Sequence, residues 1–305
     1  MNLSRRRLLL AGLATLLLGA CATPPKPAAL SPLPPPPRPP AKIALVLGGG
    51  AARGFAHVGV IKALEAQGIV PDIVVGTSAG AVVGALYAAG YSGFELQKLV
   101  LQLDESQFSD WSLPDRGLLK GEALQNFVNN AVNQRPLERF GKLLAVVATD
   151  LNSGEPVVFR TGNTGMAVRA SSSVPGLFQP VAINGREYVD GGLVSPVPVH
   201  TARALGADFV IAVDISAKPQ FGSTKSTIDV LLQTFSIMGQ ALSRRELLGA
   251  DVVLRPQTPE LRAADFQDRH WAVLEGEKSV AVLLPELKAK LAILRETRQS
   301  LPGNP

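Results

Sequence analysis

A serine set between glycines is the residue of this sequence with the clearest chemical potential. Ser78 is the centre of Gly76-Thr-Ser-Ala-Gly80, which follows an apolar stretch and precedes a run of small residues. Glycines two residues away on each side permit the sharp strand-to-helix turn that exposes a nucleophilic hydroxyl. We predict that Ser78 is a nucleophile; the alternative is a serine that only caps the helix. The turn around it is formed by Gly76, Thr77, Ala79 and Gly80.

A glycine-rich loop upstream of the serine predicts a site for developing negative charge. The loop Gly48–Gly54 lies between an apolar strand and a helical pattern, so several backbone N–H groups point into one cavity. Such donors suit an oxyanion hole. A dinucleotide fingerprint read from Gly48 fails, because Arg53 falls in its last glycine slot. We assign the oxyanion hole to Gly49, Gly50, Ala51, Arg53 and Gly54, with Arg53 neutralising charge or anchoring the loop.

An aspartate followed by two glycines is the candidate base. Asp190 precedes Gly191 and Gly192, and a carboxylate held on such a turn accepts the serine proton directly. The alternative is an acid that only shapes a tight turn. We expect Asp150 and Asp214 to make structural hydrogen bonds instead.

The counts of histidine and cysteine argue against metal and disulfide chemistry. The three histidines, His57, His200 and His270, are scattered without ligand spacing, and we expect structural or surface roles for them. The lone cysteine, Cys21, excludes an internal disulfide and a site built on several thiolates. We predict neither a metal nor an organic cofactor.

The elements that must position these residues alternate between strand and helix. Hydrophobic residues make up 46% of the 305 residues and charged residues 18%, which is ample for a buried core. The alternation predicts an α/β fold with a mostly parallel sheet and helices on both faces. Region 104–120 is predicted to be a loop or lid. Predicted strands are 42–47, 69–75, 143–148, 157–160 and 209–213. Predicted helices are 55–67, 81–89, 93–103, 121–132, 201–205, 227–248 and 278–299, the last expected to pack on its own domain.

Taken together, the three motifs resemble the patatin-like phospholipases over 42–214. The resemblance implies a single domain over 42–305, a Ser78–Asp190 dyad and hydrolysis of lipid carboxylic esters through an acyl-enzyme. Ala51 departs from the family pattern, in which glycine is frequent, and alanine tolerates fewer backbone conformations. Acyl transfer and hydrolysis of soluble esters or thioesters remain alternatives, as does a non-catalytic lipid-binding lipoprotein.

The first forty residues predict a targeting segment rather than part of the folded domain. Three arginines precede a 13-residue apolar run, and Leu18-Gly-Ala-Cys21 resembles the lipobox of bacterial lipoproteins. We predict a signal peptide over 1–20 and a lipidated Cys21 with a proline-rich linker over 21–41. Ala22 favours the outer membrane, facing the periplasm, and the export route, general or twin-arginine, stays open.

The expected partner is membrane phospholipid or lysophospholipid. Residues 1–41 contain five lysines and arginines and no acid, whereas the remaining 264 residues carry 25 charges of each sign. That balance does not provide a basic surface for nucleic acid. The sequence does not indicate the oligomeric state.

Overall fold

The computed structural model describes residues 39–103, 110, 116–222, 224–258 and 268–300. The predicted signal peptide, Cys21 and most of the predicted linker and lid lie outside the described residues. The strands are β1 (Ile43–Leu47), β2 (Ile73–Thr77), β3 (Leu143–Asp150), β4 (Pro156–Phe159), β5 (Val181–Ile183), β6 (Arg186–Asp190), β7 (Phe209–Val213) and β8 (Val252–Leu254). The helices are α1 (Phe55–Ala66), α2 (Ala79–Ala88), α3 (Gly93–Gln102), α4 (Glu122–Ala131), α5 (Thr164–Ser171), α6 (Val199–Ala204), α7 (Thr227–Glu246) and α8 (Arg269–Ser300).

One mixed sheet organises the described residues, in the order β5-β6-β3-β2-β1-β7-β8. The five strands from β3 to β8 along this path pair in parallel, whereas β4 and β6 pair antiparallel with β3. Apolar side chains on both faces of the sheet are buried against helices, which explains why β1 and β7 are continuous apolar runs. The predicted α/β class with a mostly parallel sheet is confirmed.

The register of the two central strands explains where chemistry is possible. Leu47 at the end of β1 lies opposite Gly76 near the end of β2, and both strands run the same way. The glycine-rich loop and the Ser78 turn therefore leave the sheet at the same edge. Ligand sites in open parallel sheets occur at this carboxyl edge.

The C-terminal helix packs on its own domain, as predicted. Ala272, Val273, Val280 and Leu287 of α8 are buried. The contact with α1 is close: a Cβ on Gly276 would lie 2.0 Å from Ala56 O. Since only a glycine fits there, this crossing depends on the absence of a side chain.

Several predicted boundaries were wrong. β2 begins at Ile73 rather than at 69, because Asp72 uses its carboxylate to accept the amide of Ile43 ahead of the pairing. Helix α8 begins at Arg269 rather than at 278. The sequence reading also missed β5, β6, β8 and α5, four elements of eight residues or fewer. Within the described residues, none of the helices combines the length and apolar character needed to cross a bilayer.

Candidate active site

Ser78 occupies a strained turn between β2 and α2. Its φ of 53° and ψ of −122° are unusual for a residue with a side chain. The amide of Ser78 donates to Ser171 Oγ at 2.8 Å, which fixes the turn from the side of α5. Strain of this kind is typical of functional residues whose surroundings determine their conformation.

The two glycines of the turn are required by close backbone approach. A Cβ on Gly80 would lie 2.0 Å from Leu47 O, and one on Gly76 would lie 2.5 Å from Gly80 O. The left-handed conformation therefore falls on Ser78 itself, while the glycines let β1, β2 and α2 meet. This packing holds the serine at the edge of the sheet.

Asp190 lies within hydrogen-bonding distance of the serine. Ser78 Oγ donates to Asp190 Oδ2 at 2.7 Å, although the two residues are 112 positions apart in the chain. The amide of Gly192 donates to the other carboxylate oxygen at 2.7 Å, and Thr149 Oγ1 donates to the Asp190 carbonyl at 2.8 Å. A Cβ on Gly191 would lie 2.2 Å from Val147 O, so the glycine lets the turn close on β3. The structure thus brings the predicted nucleophile and base together.

Burial changes the chemistry of this carboxylate. Asp190 is 6% exposed, and desolvation raises its pKa from 3.8 to about 6, against the opposing effect of the bonds from Gly192 and Ser78. A carboxylate with a higher pKa is a better proton acceptor once it is ionised. Asp190 therefore has the geometry and the basicity of a general base toward Ser78.

The glycine loop offers two backbone donors beside this pair. A Cβ on Gly49 would lie 3.3 Å from Ser78 Cβ, so the loop passes directly over the serine. The amide of Gly49, however, already donates to Pro196 O at 2.9 Å. Among the described residues, the amides of Gly50 and Ala51 meet no acceptor. These two are the donors of the predicted set that remain available for an oxyanion.

Arg53 and Ala51 define how the loop is held. Arg53 Nε donates to Ile215 O at 2.9 Å, and burial lowers the pKa of its guanidinium. Ala51 has a φ of 51°, a conformation that glycine adopts at lower cost. Gly54 contacts the serine turn, since a Cβ there would lie 2.7 Å from Ala79 Cβ. Arg53 thus anchors the loop, and Ala51 carries strain at the position where the sequence departs from the family pattern.

His57 supports the glycine loop through a hydrogen bond to its backbone. The side chain is fully buried, and its Nε2 lies 2.8 Å from Gly48 O, to which it must donate because a carbonyl only accepts. Desolvation lowers the pKa of His57 to about 4, so the ring is neutral at pH 7. Its hydrogen bond to the loop backbone fits a positioning role.

Sequence reasoning missed a buried acid that holds the segment next to the loop. Glu246, at the end of α7, accepts from Ser195 Oγ at 2.5 Å and from the amide of Val197 at 3.1 Å. Between them, Pro196 O accepts the Gly49 amide, and Ser195 O accepts from Thr77 Oγ1 at 2.8 Å. Burial raises the pKa of Glu246 to about 7. Glu246 therefore holds a loop segment, Ser195–Val197, that contacts both the glycine loop and the serine turn.

The other acids considered have different partners. Asp150 Oδ1 accepts the amides of Asn152 and Ser153, and Arg186 approaches Oδ2 at 2.8 Å. These contacts, led by the Ser153 amide, lower the pKa of Asp150. Asp214 Oδ1 accepts the amide of Ser216 at 3.1 Å. Within the part of the chain that the structure describes, neither acid is hydrogen-bonded to Ser78, and no cluster of three side chains is suited to a metal ion.

A cavity of about 1810 Å³ opens over the serine, and its wall differs in polarity from one side to the other. Ser78, Asp190 and the glycine loop line it. Helices α2, α3 and α4 contribute a mainly apolar wall that includes Val82, Leu86, Leu96, Leu99 and Phe127. Helix α7 contributes a mainly polar wall that includes Asp229, Gln233, Ser236, Gln240 and Ser243.

Comparisons with known proteins agree with this fold and this arrangement of motifs. The family profile described as Patatin-like phospholipase matches residues 45–203, which contain the glycine loop, the serine turn and the aspartate. The chain therefore belongs to the patatin-like phospholipase family, and lipid ester hydrolysis is the activity of that class.

Two curated relatives and one solved structure illustrate the similarity. An uncharacterized NTE family protein of Mycobacterium bovis is 36% identical over 182 residues, which cover 57% of this chain and 49% of the relative. Lysophospholipase NTE1 of Meyerozyma guilliermondii is 31% identical over 205 residues, 64% of this chain and 14% of the relative. The aligned region therefore spans half or less of each relative. The crystal structure of VipD from Legionella pneumophila has a similar fold, with a TM-score of 0.55 at 16% identity, covering 82% of this chain and 68% of that one.

Proposed function

We propose that this chain is a serine acyl hydrolase that cleaves the carboxylic esters of phospholipids or lysophospholipids. The observation that carries the proposal is the 2.7 Å hydrogen bond from Ser78 Oγ to Asp190 Oδ2, on the wall of a large cavity with an extensive apolar side. Membership of the phospholipase family and similarity to a protein named as a lysophospholipase support it.

Acylation would proceed through the serine. Ser78 Oγ bonds to the ester carbonyl carbon while Asp190 takes the hydroxyl proton, and the amides of Gly50 and Ala51 donate to the resulting oxyanion. Collapse of the tetrahedral intermediate breaks the ester C–O bond. Asp190 returns the proton to the departing alkoxide, which leaves as an alcohol and an acyl-enzyme.

Deacylation repeats these steps with water. Asp190 takes a proton from the attacking water, whose oxygen bonds to the acyl carbon, and the proton then passes to Ser78 Oγ as the fatty acid leaves. Its raised pKa suits Asp190 to both halves of the cycle. The scheme uses no metal or organic cofactor.

The two walls of the cavity suggest how a lipid would lie. An acyl chain fits against the apolar wall from α2, α3 and α4, because that surface loses least by contact with hydrocarbon. The phosphate-bearing part fits the polar wall, where Lys218 and Arg255 also line the cavity. A phospholipid or lysophospholipid satisfies both walls at once.

We also propose that the protein is an exported bacterial lipoprotein held at the periplasmic side of a membrane, with the outer membrane favoured. The proposal rests on the lipobox-like residues before Cys21, which lie outside the described residues. In the native host, Cys21→Ala should abolish labelling by a radioactive fatty acid. Persistent labelling of that variant would reject the lipobox.

The test of the activity is incubation of the full chain with mixed phospholipids and lysophospholipids, followed by mass spectrometry of the released fatty acids. Ser78→Ala should lose release by several orders of magnitude, because the covalent route disappears. Ser172→Ala is the matched control: this serine lines the same cavity, but its Oγ has no hydrogen-bond partner among the described residues. Equal activity in Ser78→Ala and wild type would reject the mechanism, and absence of any released fatty acid from wild type would reject the substrate class.

A further inference from the structure

Helix α7 exposes apolar side chains to solvent and places mostly polar residues on the cavity wall. A surface helix normally buries its apolar face and exposes its polar one. The residues of α7 that line the cavity are mostly polar, with Leu232 and Phe235 as the large apolar exceptions, whereas Val230, Ile237 and Met238 do not line it. Over its twenty residues, only Ser243 and Glu246 are buried.

Four apolar side chains of α7 form a strip that does not line the cavity, which we call the outer face. Val230, Leu231, Ile237 and Met238 are spaced at i, i+1, i+7 and i+8 and so share one side of the helix. Val230, Ile237 and Met238 are each more than 50% exposed. Neighbouring apolar side chains that are exposed in this way are typical of a surface that contacts another molecule.

The charges around the outer face indicate the nature of that partner. Lys225 precedes the helix, and Arg244 and Arg245 lie at its end; all three are exposed, and Lys225 and Arg244 also line the cavity. Of the two acids of α7, Asp229 accepts the amides of Lys225 and Ser226 at the start of the helix, and Glu246 is buried. An apolar strip flanked by basic residues complements a bilayer with anionic headgroups.

The same apolar surface continues into the cavity. Phe221, just before α7, and Leu248, just after it, are 59% and 87% exposed, and both also line the cavity. A partner in contact with the outer face would therefore lie close to residues of the cavity lining at both ends of the helix.

We propose that the outer face of α7 docks on an anionic phospholipid bilayer and brings the cavity to the lipid surface. The proposal rests on the proposed lipid hydrolase activity for its purpose. It is supported independently of that activity by the exposed strip, by the flanking basic residues and by their continuity with the cavity.

The test measures binding of the full chain to phosphatidylcholine vesicles with and without phosphatidylglycerol. All proteins carry Cys21→Ala and Ser78→Ala, so that an acyl anchor does not dominate and the lipid is not consumed. Ile237→Asp with Met238→Asp should weaken binding to mixed vesicles about tenfold or more. Lys225→Gln with Arg245→Gln should reduce the preference for phosphatidylglycerol about tenfold.

The matched control places the same charges on another exposed apolar surface. Val282 and Ile293 of α8 are 77% and 62% exposed and do not line the cavity. Val282→Asp with Ile293→Asp should bind vesicles as the parent protein does. Equal binding by the α7 and α8 variants would overturn the proposal. So would a chain that forms dimers disrupted only by the α7 substitutions while vesicle binding is unchanged.

Hydrolysis separates this proposal from the proposed function. With Ser78 restored, the α7 variant should hydrolyse a soluble short-chain ester within about twofold of the α8 control, while losing about tenfold on vesicles. If the parent hydrolyses neither substrate, the proposed function fails, and the vesicle-binding comparison still decides the role of the outer face.

Discussion

Replacing Asp190 with asparagine should stabilise the fold while removing activity. The desolvated carboxylate has a pKa of about 6 in the folded protein, against 3.8 for an ordinary aspartate. Each pKa unit corresponds to ~1.4 kcal/mol, so keeping Asp190 ionised costs ~3 kcal/mol of stability well above pH 6. Asparagine removes that cost, and its amide can still accept from Gly192 and donate to Ser78.

The sign of the effect fixes its pH dependence. Because the folded pKa is raised, protonation of Asp190 contributes stability that is fully present below pH 3.8 and is lost as the pH rises through 6. Asp190→Asn should therefore be more stable than wild type by about 3 kcal/mol at pH 8 and by less than about 1 kcal/mol at pH 4. Urea unfolding at the two pH values measures the difference.

Activity should change in the opposite direction. The variant should lose about three orders of magnitude or more in kcat, because Ser78 loses its base. Ser78→Ala is the control, since it is equally inactive but keeps the buried carboxylate and hence a stability that falls as the pH rises through 6 or above. If the variant is less stable than wild type at pH 8, or if the stability difference does not vary with pH, then Asp190 is not a desolvated carboxylate with a raised pKa.

Three further predictions concern the supports of the site. Glu246→Ala should lower kcat more than it raises KM, because the segment holding the Gly49 amide loosens; Glu246→Gln should restore most of the loss, and steady-state kinetics distinguish the two. Ala51→Gly should stabilise the protein by about 0.5 kcal/mol, because the relief of left-handed strain in the folded state exceeds the conformational entropy that glycine adds to the unfolded chain. Urea unfolding measures the difference. His200→Gln and His270→Gln should each keep activity within about tenfold, and a loss as large as that of Asp190→Asn would indicate a triad.

The sequence predicted the parts of the site that have local signatures. Ser78, Asp190 and the glycine loop each lie in a short motif at the end of an apolar strand, and parallel pairing of β1 with β2 brings two of the three motifs to one edge. The fold class followed from the alternation of strands and helices. Contacts between distant segments have no such signature.

Glu246 and Ser171 show why the remainder was missed. Each meets its partner across a long stretch of chain, 51 residues from Glu246 to Ser195 and 93 from Ser171 to Ser78. The early start of α8 was missed for a related reason: Gly276 lowers helix propensity, but its close packing on α1 favours the helix. The outer face of α7 was hidden because an exposed apolar strip has the same period as a buried one.

The most direct test of the central claim is covalent labelling of the purified chain with a fluorophosphonate, followed by peptide mass spectrometry. Phosphonylation should occur on Ser78, be absent from Ser78→Ala, remain in Ser172→Ala, and slow by orders of magnitude in Asp190→Asn. Labelling of another residue at the wild-type rate, or undiminished labelling of Ser78 without the Asp190 carboxylate, would contradict a Ser78 nucleophile activated by Asp190.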